Sequence, residues 1–406
     1  MREGWEVKEL GTLCKLTRGH NPPKNKFINE PRDGYVRFYQ IRDGWSDDYI
    51  VYVPDTPQLH KIVSDDFLMV AYRHIGKVFR GVNGAFNVAL CKISNNRKDK
   101  LDNDFLFYMI PSDVIKGELM KRSERSLIPS MSVEHLKKII IPLPPLPEQQ
   151  RIVAILDKAF AAIAKAKANA EQNLKNAKEL FESYLQGVFE NKGKGWEEKI
   201  LEEICEIKHG FAFSGKDFEN DFYGNKPIVL TPGNFSEDAT LIFNERNTKR
   251  CHGDYPKEYE FQIGELVVVM TDLSSKMKIL GKPAIIKDKN ILHNQRIGRF
   301  IFFDNSIYKY FLFFFLQTNY YLRKIKDSAT GTMVRHTAPK RILKIKIPMP
   351  PLEKQQSIVQ KLDALSAETK KLETIYQQKI KDLEELKKSV LQKALNGELT
   401  EKDIAL

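Results

Sequence analysis

Apolar residues recur at heptad spacing along two long runs of the chain that contain little or no proline. In the first run, the two heptad positions are Ile152, Ala159, Ala166, Asn173 and Leu180, and Leu156, Ile163, Ala170, Ala177 and Tyr184. In the second run they are Ile358, Leu365, Leu372 and Leu386, and Leu362, Tyr376, Leu383 and Val390, with Thr369 and Lys379 as polar interruptions. Two imperfect apolar seams of equal length predict two helices that pack on each other.

Both runs begin with the same proline-rich sequence. Residues 141–157 read IPLPPLPEQQRIVAILD, and residues 347–363 read IPMPPLEKQQSIVQKLD. Because the first turn of a helix tolerates proline and its interior does not, each proline cluster marks a helix start. Asn396 and Gly397 form a typical C-terminal stop. A run of about 44 residues predicts a helix about 66 Å long.

The repeat extends beyond these runs to the segments that precede them. Trp5, Cys14 and Gly19 follow one another in the same local pattern as Trp196, Cys205 and Gly210. The two cysteines therefore occupy equivalent packing positions, which argues against a catalytic thiol. We interpret the chain as a duplicated unit whose ends are alike and whose middle parts have diverged.

Between the repeated parts, the pattern is typical of short strands joined by turns. Residues 34–44 alternate like a strand and close on Asp-Gly, with residues 226–234 at the corresponding place in the second copy. Residues 67–72 and 266–271 are predicted to be buried strands, and each is followed by a polar loop. Residues 105–120 and 308–326 are predicted to form one helix each. Both globular segments are thus α+β with largely β cores.

The connections predict how the elements are arranged. Only residues 191–195 separate the end of the first helix from the second globule, so the second helix must run back along the first. We expect two antiparallel coiled-coil helices with a globule at each end and an approximate two-fold repeat. The predicted segments are a first globule (1–141), a proline-rich start and central helix (142–190), a second globule (191–346), and a proline-rich start and distal helix (347–406).

The length of the chain suits two domains plus an extended part, and its composition is basic. The chain has 406 residues and a formal net charge of +12. Positive and negative residues balance in the first helical run, so the excess lies mainly outside the helices, which favours a polyanionic partner. Cys14, Cys91, Cys205 and Cys251 form no CxxC pair, and the N-terminus shows no signal peptide, so we expect a reducing cytoplasm. The apolar stretch 310–316 is too short to span a membrane.

Three short motifs resemble catalytic or cofactor signatures, and each departs from its pattern. Residues 210–217 approach a phosphate-binding loop, but Asp217 replaces the hydroxyl residue that magnesium requires. Residues 21–24 read NPPK, where an adenine methyltransferase needs an aromatic residue in place of Lys24 to stack the flipped base. Residues 206–208 form a Glu-x-Lys triplet without the upstream aspartate of a nuclease. The histidines show no metal-ligand spacing, so we expect neither a metal nor a cofactor in this chain.

Basic residues interleaved with aromatic and amide residues are the candidates for DNA contact. Arginine and lysine suit phosphates and guanine edges, while asparagine and glutamine suit adenine edges. Any one of them alone is more simply a solvated surface residue. The candidates in the first globule are Arg18, His20, Lys24, Lys26, Arg37, Tyr39, Gln40, Arg42, Arg73, His74, Lys77, Arg122 and Arg125. Those in the second are Lys208, His209, Lys216, Asn234, Lys276, Lys278, Asn294, Gln295, Arg296, Arg335 and His336.

Four features of the sequence indicate a family resemblance: the doubled proline-Gln-Gln motif, the doubled Trp-Glu start, the GFAF sequence at 210–213 and the ATGTMV sequence at 329–334. In these features the chain resembles the specificity subunits of type I restriction-modification systems. The resemblance covers residues 5 to about 399. It departs at Ser123–Ser126, where the first copy lacks the Gly-Thr of the second.

The resemblance implies that each globule is a target recognition domain for half of a bipartite DNA site. It also implies that the helices set the spacing between the halves and dock two methyltransferase subunits. S-adenosylmethionine, ATP and magnesium would bind to those subunits and to the restriction subunits, and this chain would catalyse nothing. The alternative left open by the residues is a duplicated coiled-coil scaffold whose globules bind proteins and not DNA.

Overall fold

The structure, a computed structural model, describes residues 4–80, 83–122 and 130–399. The chain divides into two compact units. Unit 1 is formed by the residues up to Gln172 together with those from Tyr376 onward, and unit 2 by residues 173–375. Each unit therefore contains one globular segment and part of each of the two long helices.

The globular part of unit 1 consists mainly of short strands, as the alternating pattern predicts. Its strands are β1 (Glu6–Glu9), β2 (Cys14–Arg18), β3 (Tyr35–Tyr39), β4 (Tyr52–Pro54), β5 (Lys61–Ile62), β6 (Phe67–Val70), β7 (Val78–Arg80), β8 (Gly84–Phe86), β9 (Leu90–Asn95) and β10 (Ile140–Leu143). Its helices are α1 (Leu10–Leu13), α2 (Asn103–Met109), α3 (Asp113–Arg122) and α4 (Val133–Lys137), followed by the long α5 (Leu146–Glu190).

The strands of unit 1 form two four-stranded sheets and a strand pair. One sheet is antiparallel in the order β2-β9-β6-β7, and the other has the order β4-β3-β8-β5 with β3 and β8 parallel. β1 pairs with β10 directly before α5, with Glu6 opposite Leu143. This pairing joins the beginning of the globule to the proline-rich start of the long helix.

Unit 2 has a similar order of elements with additional short strands. Its strands are β11 (Glu197–Ile200), β12 (Cys205–His209), β13 (Phe218–Asn220), β14 (Ile228–Leu230), β15 (Lys249–Cys251), β16 (Leu266–Val269), β17 (Thr271–Asp272), β18 (Pro283–Ile285), β19 (Ile291–His293), β20 (Ile297–Phe302), β21 (Arg335–His336) and β22 (Lys346–Met349). Its helices are α6 (Lys309–Phe315), α7 (Asn319–Asp327) and α8 (Pro339–Leu343), followed by the long α9 (Leu352–Leu395).

One sheet of unit 1 is repeated in unit 2, and the other shares three adjacent strands but has its fourth strand at the opposite edge. The orders are β12-β20-β16-β18 and β13-β15-β14-β19, with β14 and β19 parallel, and β11 pairs with β22 before α9. Cys14 and Cys205 are buried on the equivalent strands β2 and β12, and burial raises the pKa of each thiol to about 12. The predicted internal repeat and the packing role of these two cysteines are confirmed.

The two long helices run antiparallel within each unit. In unit 1, Lys167 on α5 forms an ion pair with Glu384 on α9, with 2.7 Å between Nζ and Oε1. The beginning of α5, with Leu156, shares one core with the end of α9, with Leu395. In unit 2, Phe189 near the end of α5 shares a core with Leu362 near the start of α9. The predicted antiparallel pairing is therefore present in both units.

The apolar seam of the helices differs from the prediction in two places. On α5 the buried positions follow the heptad pattern as far as Ala177, but then Leu185 and Phe189 are buried while Leu180 and Tyr184 are 52% and 41% exposed. Beyond Ala177 the buried residues are spaced by steps of four. The line of buried side chains therefore shifts around the helix axis. On α9, Thr369 is buried and Leu372 is exposed, and the buried Thr369 hydroxyl donates to Leu365 O at 2.9 Å.

The predicted single helices at 105–120 and 308–326 are each two helices. Pro111 follows α2, and proline cannot donate the backbone hydrogen bond that a continuous helix requires. In unit 2, Thr318 separates α6 from α7, and its hydroxyl accepts a hydrogen bond from Tyr321 N at 3.3 Å. A new helix start inside each segment was not recognised from the apolar pattern.

Candidate nucleic-acid interface

In unit 1, an exposed surface forms where the turn after β3 meets the loop between β6 and β7. The 3-10 turn Ile41–Gly44 is capped by Asp43, whose Oδ2 accepts a hydrogen bond from Gln40 N at 2.8 Å. Burial raises the pKa of the Asp43 carboxyl. Gly44 lets the turn approach β7, because a Cβ atom there would lie 2.8 Å from the Phe79 ring. We call Arg42, Trp45, Tyr49, His74 and Lys77 the first-unit surface.

The first-unit surface alternates rings and cations. Lys77 Nζ lies 3.5 Å from the centroid of the Trp45 ring, and the His74 ring meets Trp45 edge-on at 5.3 Å. The Arg42 guanidinium lies 5.1 Å from the Tyr49 ring and donates to Tyr49 O at 3.2 Å. Partial burial lowers the pKa of Lys77. The arrangement presents rings and positive charge side by side, a combination that suits bases and phosphates.

The loop that carries His74 and Lys77 is a tight turn between β6 and β7. Val70 N donates to Lys77 O at 2.8 Å, and Gly76 N donates to Val70 O at 3.0 Å. Arg73 adopts a left-handed conformation with φ of 65° and is exposed. These bonds fix the backbone, so the basic side chains project from a rigid base.

The corresponding surface of unit 2 lies where the loop after β16 pairs with a hairpin. β17 pairs with β21, so that Thr271 lies opposite His336 and Asp272 opposite Arg335. We call Leu273, Lys276, Lys278, Met333, Arg335 and His336 the second-unit surface. Leu273 is 65% exposed and Met333 80% exposed. This surface therefore combines basic side chains with apolar ones that pack against little of the protein.

Buried polar groups hold the second-unit surface in place. Asp272 is buried, and its carboxylate accepts hydrogen bonds from Ser274 N at 2.7 Å and from Ile279 N at 3.0 Å. Thr271 Oγ1 lies 3.1 Å from His336 Nδ1. Because Asp272 closes the loop that carries Lys276 and Lys278, it orders that loop rather than contacting a ligand.

One loop of each surface occupies an equivalent position in its unit, namely the loop after β6 in unit 1 and the loop after β16 in unit 2. Met131 N donates to Ala71 O at 3.1 Å in unit 1, and Thr337 N donates to Met270 O at 3.0 Å in unit 2. Beside these bonds, Tyr72 bridges to Ser130 in unit 1, as Thr271 pairs with His336 in unit 2. The duplication therefore extends to the loops that carry the candidate residues, although their side chains differ.

Three of the residues predicted to contact DNA have buried side chains. Tyr39 is 2% exposed and Asn294 is 7% exposed, and Asn294 Oδ1 accepts from Arg296 N at 3.0 Å. Asn234 is 1% exposed, and its Oδ1 accepts from Thr231 N at 2.8 Å in a cap equivalent to that of Asp43. The two asparagine side chains satisfy the backbone of turns, a role that asparagine takes as readily as base contact.

Two predicted arginines are engaged within unit 1. Arg18 donates to Val88 O at 3.1 Å and also to Met131 O, which ties the end of β2 to two loops. Arg37 pairs with Asp47 and Asp43, and its guanidinium lies 4.5 Å from the buried Tyr39 ring. Both arginines organise the backbone behind the first-unit surface.

The remaining candidates are distributed over several loops. Gln40 and Gln295 are half-buried, and His209 Nδ1 lies 3.5 Å from Gln295 O. The exposed ones outside the two named surfaces are His20, Lys24, Lys26, Arg73, Lys208, Lys216 and Arg296. Of Arg122 the structure describes only the helical backbone, and Arg125 lies outside the described residues, as does the divergent segment Ser123–Ser126.

The exposed apolar residues of both surfaces were not among those predicted from the sequence to contact DNA. Trp45, Tyr49, Leu273 and Met333 were not among the candidates, because apolar residues in a sequence are usually assigned to the core. A signal was available at Trp45, which directly follows the Asp-Gly turn and precedes Ser-Asp-Asp. An aromatic residue among polar turn residues has few neighbours to bury it.

The described residues contain no cluster of histidine, cysteine, aspartate and glutamate side chains suited to hold a metal ion. No helix in the described part of the chain has both the length and the apolar character that crossing a membrane requires.

Similar proteins share this architecture. The MjaVIII specificity subunit of Methanocaldococcus jannaschii is 27% identical over 99% of this chain and 94% of its own length. The EcoKI specificity subunit of Escherichia coli K12 is 23% identical over 98% of this chain and 90% of its own length.

Two solved structures have the same fold. One, from work on complex assembly and conformational transition of the type I R-M system, superposes with a TM-score of 0.78 at 21% identity, covering 98% of this chain and 99% of that one. The HsdS subunit from Thermoanaerobacter tengcongensis gives 0.59 at 21% identity, covering 98% of both chains. The family model for the type I restriction modification DNA specificity domain matches residues 2–175 and again residues 193–382. The chain therefore belongs to the type I restriction modification DNA specificity family.

Proposed function

We propose that the chain is the DNA sequence-recognition subunit of a type I restriction-modification complex and catalyses no step itself. The observation that carries the proposal is the family match, which runs once over each globule. It is supported by the two surfaces, which share one equivalent loop and each present exposed basic side chains. Relatives along the whole length are named specificity subunits.

The chemistry of the two surfaces suits duplex DNA. Exposed cations such as Arg42 and Lys276 are suited to phosphates, which position the protein without reading sequence. An arginine is also suited to guanine edges, and an apolar side chain such as Met333 is suited to the thymine methyl group. Because the two surfaces carry different side chains on equivalent loops, we expect each to read a different half of one asymmetric site.

We further propose that the length of α5 and α9 sets the number of unread base pairs between the half-sites. The same helices dock two methyltransferase subunits, with restriction subunits completing the complex in the cytoplasm. S-adenosylmethionine, ATP and magnesium bind to those partner subunits. This chain directs the partner subunits to the recognised DNA sequence.

The salt dependence of DNA binding tests the proposal. For the full chain with its methyltransferase subunits, the logarithm of the association constant should fall by about 0.9 per neutralised phosphate for each tenfold rise in salt. Lys276→Ala should reduce that slope by about one unit, because one phosphate contact is lost. Lys158→Ala, an exposed lysine on α5, serves as the matched control and should leave the slope unchanged. A flat response in the unaltered protein would instead favour the protein-binding scaffold.

A further inference from the structure

Trp45 is an exposed tryptophan whose position core packing does not explain. Its side chain is 51% exposed, whereas Trp5 and Trp196 pack against the cores of units 1 and 2 at equivalent positions. Exposure of a large aromatic ring to water is unfavourable, so an exposed tryptophan indicates a binding surface.

Contacts on several sides hold the Trp45 ring in one orientation. Lys77 Nζ lies over the ring at 3.5 Å and His74 lies against its edge region at 5.3 Å. The residue before it, Gly44, packs close to Phe79, and the turn is closed by the hydrogen bond between Gln40 N and Asp43. The ring is thus held by Lys77 and His74 while about half of the side chain stays exposed.

The equivalent position in unit 2 is built differently. The turn Pro232–Asn234 is closed by the same kind of bond, from Thr231 N to Asn234 Oδ1 at 2.8 Å. Phe235, which stands in the place of Gly44, is 6% exposed and packs in a core with Leu230 and Phe261. Ser236 stands in the place of Trp45, and its hydroxyl donates to Thr240 O at 2.9 Å. Trp45 is one of the features by which the two globules differ.

The surroundings of Trp45 are cationic and aromatic. Tyr49 is 58% exposed and carries the Arg42 guanidinium at 5.1 Å, and Arg73 is exposed on the adjoining loop. Positive charge beside an exposed ring suits a polyanion that also has flat apolar groups, which describes a nucleic acid. The exposed Tyr223 of unit 2 lies beside a negative charge, because its hydroxyl donates to Glu245 at 2.5 Å.

We propose that Trp45, positioned by Lys77 and His74, is a specificity-determining residue of the first globule and that its indole contacts a base of the half-site read by unit 1. This inference rests on the proposed function. It assigns base contact to a residue outside the basic set, while Lys77 and Arg73 serve the phosphates on either side of it.

Tryptophan fluorescence of the full chain with its methyltransferase subunits tests the inference. Addition of duplex DNA that contains the recognised site should quench Trp45 emission and protect it from acrylamide, because the exposed ring becomes covered. Trp45→Phe should bind DNA and show no such change, since the remaining tryptophans are packed against the cores. Trp45→Ala should lose about tenfold in discrimination at one base pair of one half-site, within the usual cost of a lost base contact.

Controls separate failure of the inference from failure of the proposed function. Tyr223→Ala should leave affinity and discrimination unchanged, and thermal unfolding of each variant reports whether it is folded. If the unaltered protein binds the site but Trp45 emission and acrylamide access do not change, Trp45 makes no base contact and the inference is overturned. If the unaltered protein binds no DNA, the proposed function itself is overturned.

Discussion

Replacing Gln149 by alanine is expected to lower the free energy of unfolding of unit 1 by about 3 kcal/mol and the apparent Tm by about 5 to 10 °C. The Gln149 side chain on α5 is fully buried. Its Oε1 accepts from Asp102 N at 2.8 Å, and its Nε2 donates to Lys100 O at 2.8 Å and to Pro144 O at 2.7 Å. Alanine leaves these backbone groups buried without partners, at about 1–3 kcal/mol for each unsatisfied group.

The neighbouring glutamine provides a matched control. Gln150 is exposed, so Gln150→Ala should change the Tm little. In unit 2 the equivalent Gln355 is buried and bonds to Tyr308 N, Ser306 O and Pro350 O, so Gln355→Ala should destabilise unit 2 similarly. Scanning calorimetry of the full chain measures all three variants. Equal stability of Gln149→Ala and Gln150→Ala would show that this anchor between helix and globule contributes little.

Replacing Gly19 by alanine is expected to destabilise unit 1 by more than about 4 kcal/mol, because backbone must move to admit one methyl group. A Cβ atom at Gly19 would lie 2.1 Å from Asn87 O and 2.2 Å from Phe86 O. The chain approaches this closely because His20 N donates to Phe86 O at 3.1 Å. In unit 2, a Cβ atom at Gly210 would lie 2.3 Å from His293 O, so the requirement is duplicated.

Gly117 is the control for the effect of glycine replacement itself. It lies exposed within α3, and an added Cβ would meet no atom within 4 Å. Gly117→Ala should therefore stabilise the helix by about 0.5–1 kcal/mol. Urea unfolding of both variants gives the comparison. If Gly19→Ala were as stable as the unaltered chain, the close crossing after β2 would be wrong.

Much of the fold could be predicted because the sequence is duplicated. The proline-rich starts placed α5 and α9 correctly, and the paired Trp, Cys and Gly positions revealed the repeat and the packing role of Cys14 and Cys205. The duplication could not reveal what the Gln-Gln pair does, because burial of the first glutamine depends on residues about 50 positions away in sequence. The shift of the seam after Ala177 also escaped, because apolar residues stand both at the heptad positions, Leu180 and Tyr184, and at the four-residue steps, Leu185 and Phe189.

The candidate site was predicted less well than the fold. Polar residues on loops were correctly placed at the surface in cases such as Arg73 and Lys276. The sequence could not separate Asn234 and Asn294, which cap turns from inside, from amides that face solvent. It also assigned Trp45 no role, since exposure of an aromatic ring depends on the turn that carries it.

Long-read mapping of methylated adenines in cells tests most directly the claim that each globule reads half of one site. The strains compared carry the unaltered gene, a version in which residues 20–140 are replaced by the matching segment of a relative, and a version with one heptad added to both α5 and α9. The account predicts that the replacement changes one half-site only and that the added heptads change only the number of base pairs between the halves. A replacement that altered both halves, or longer helices that left the spacing unchanged, would contradict it.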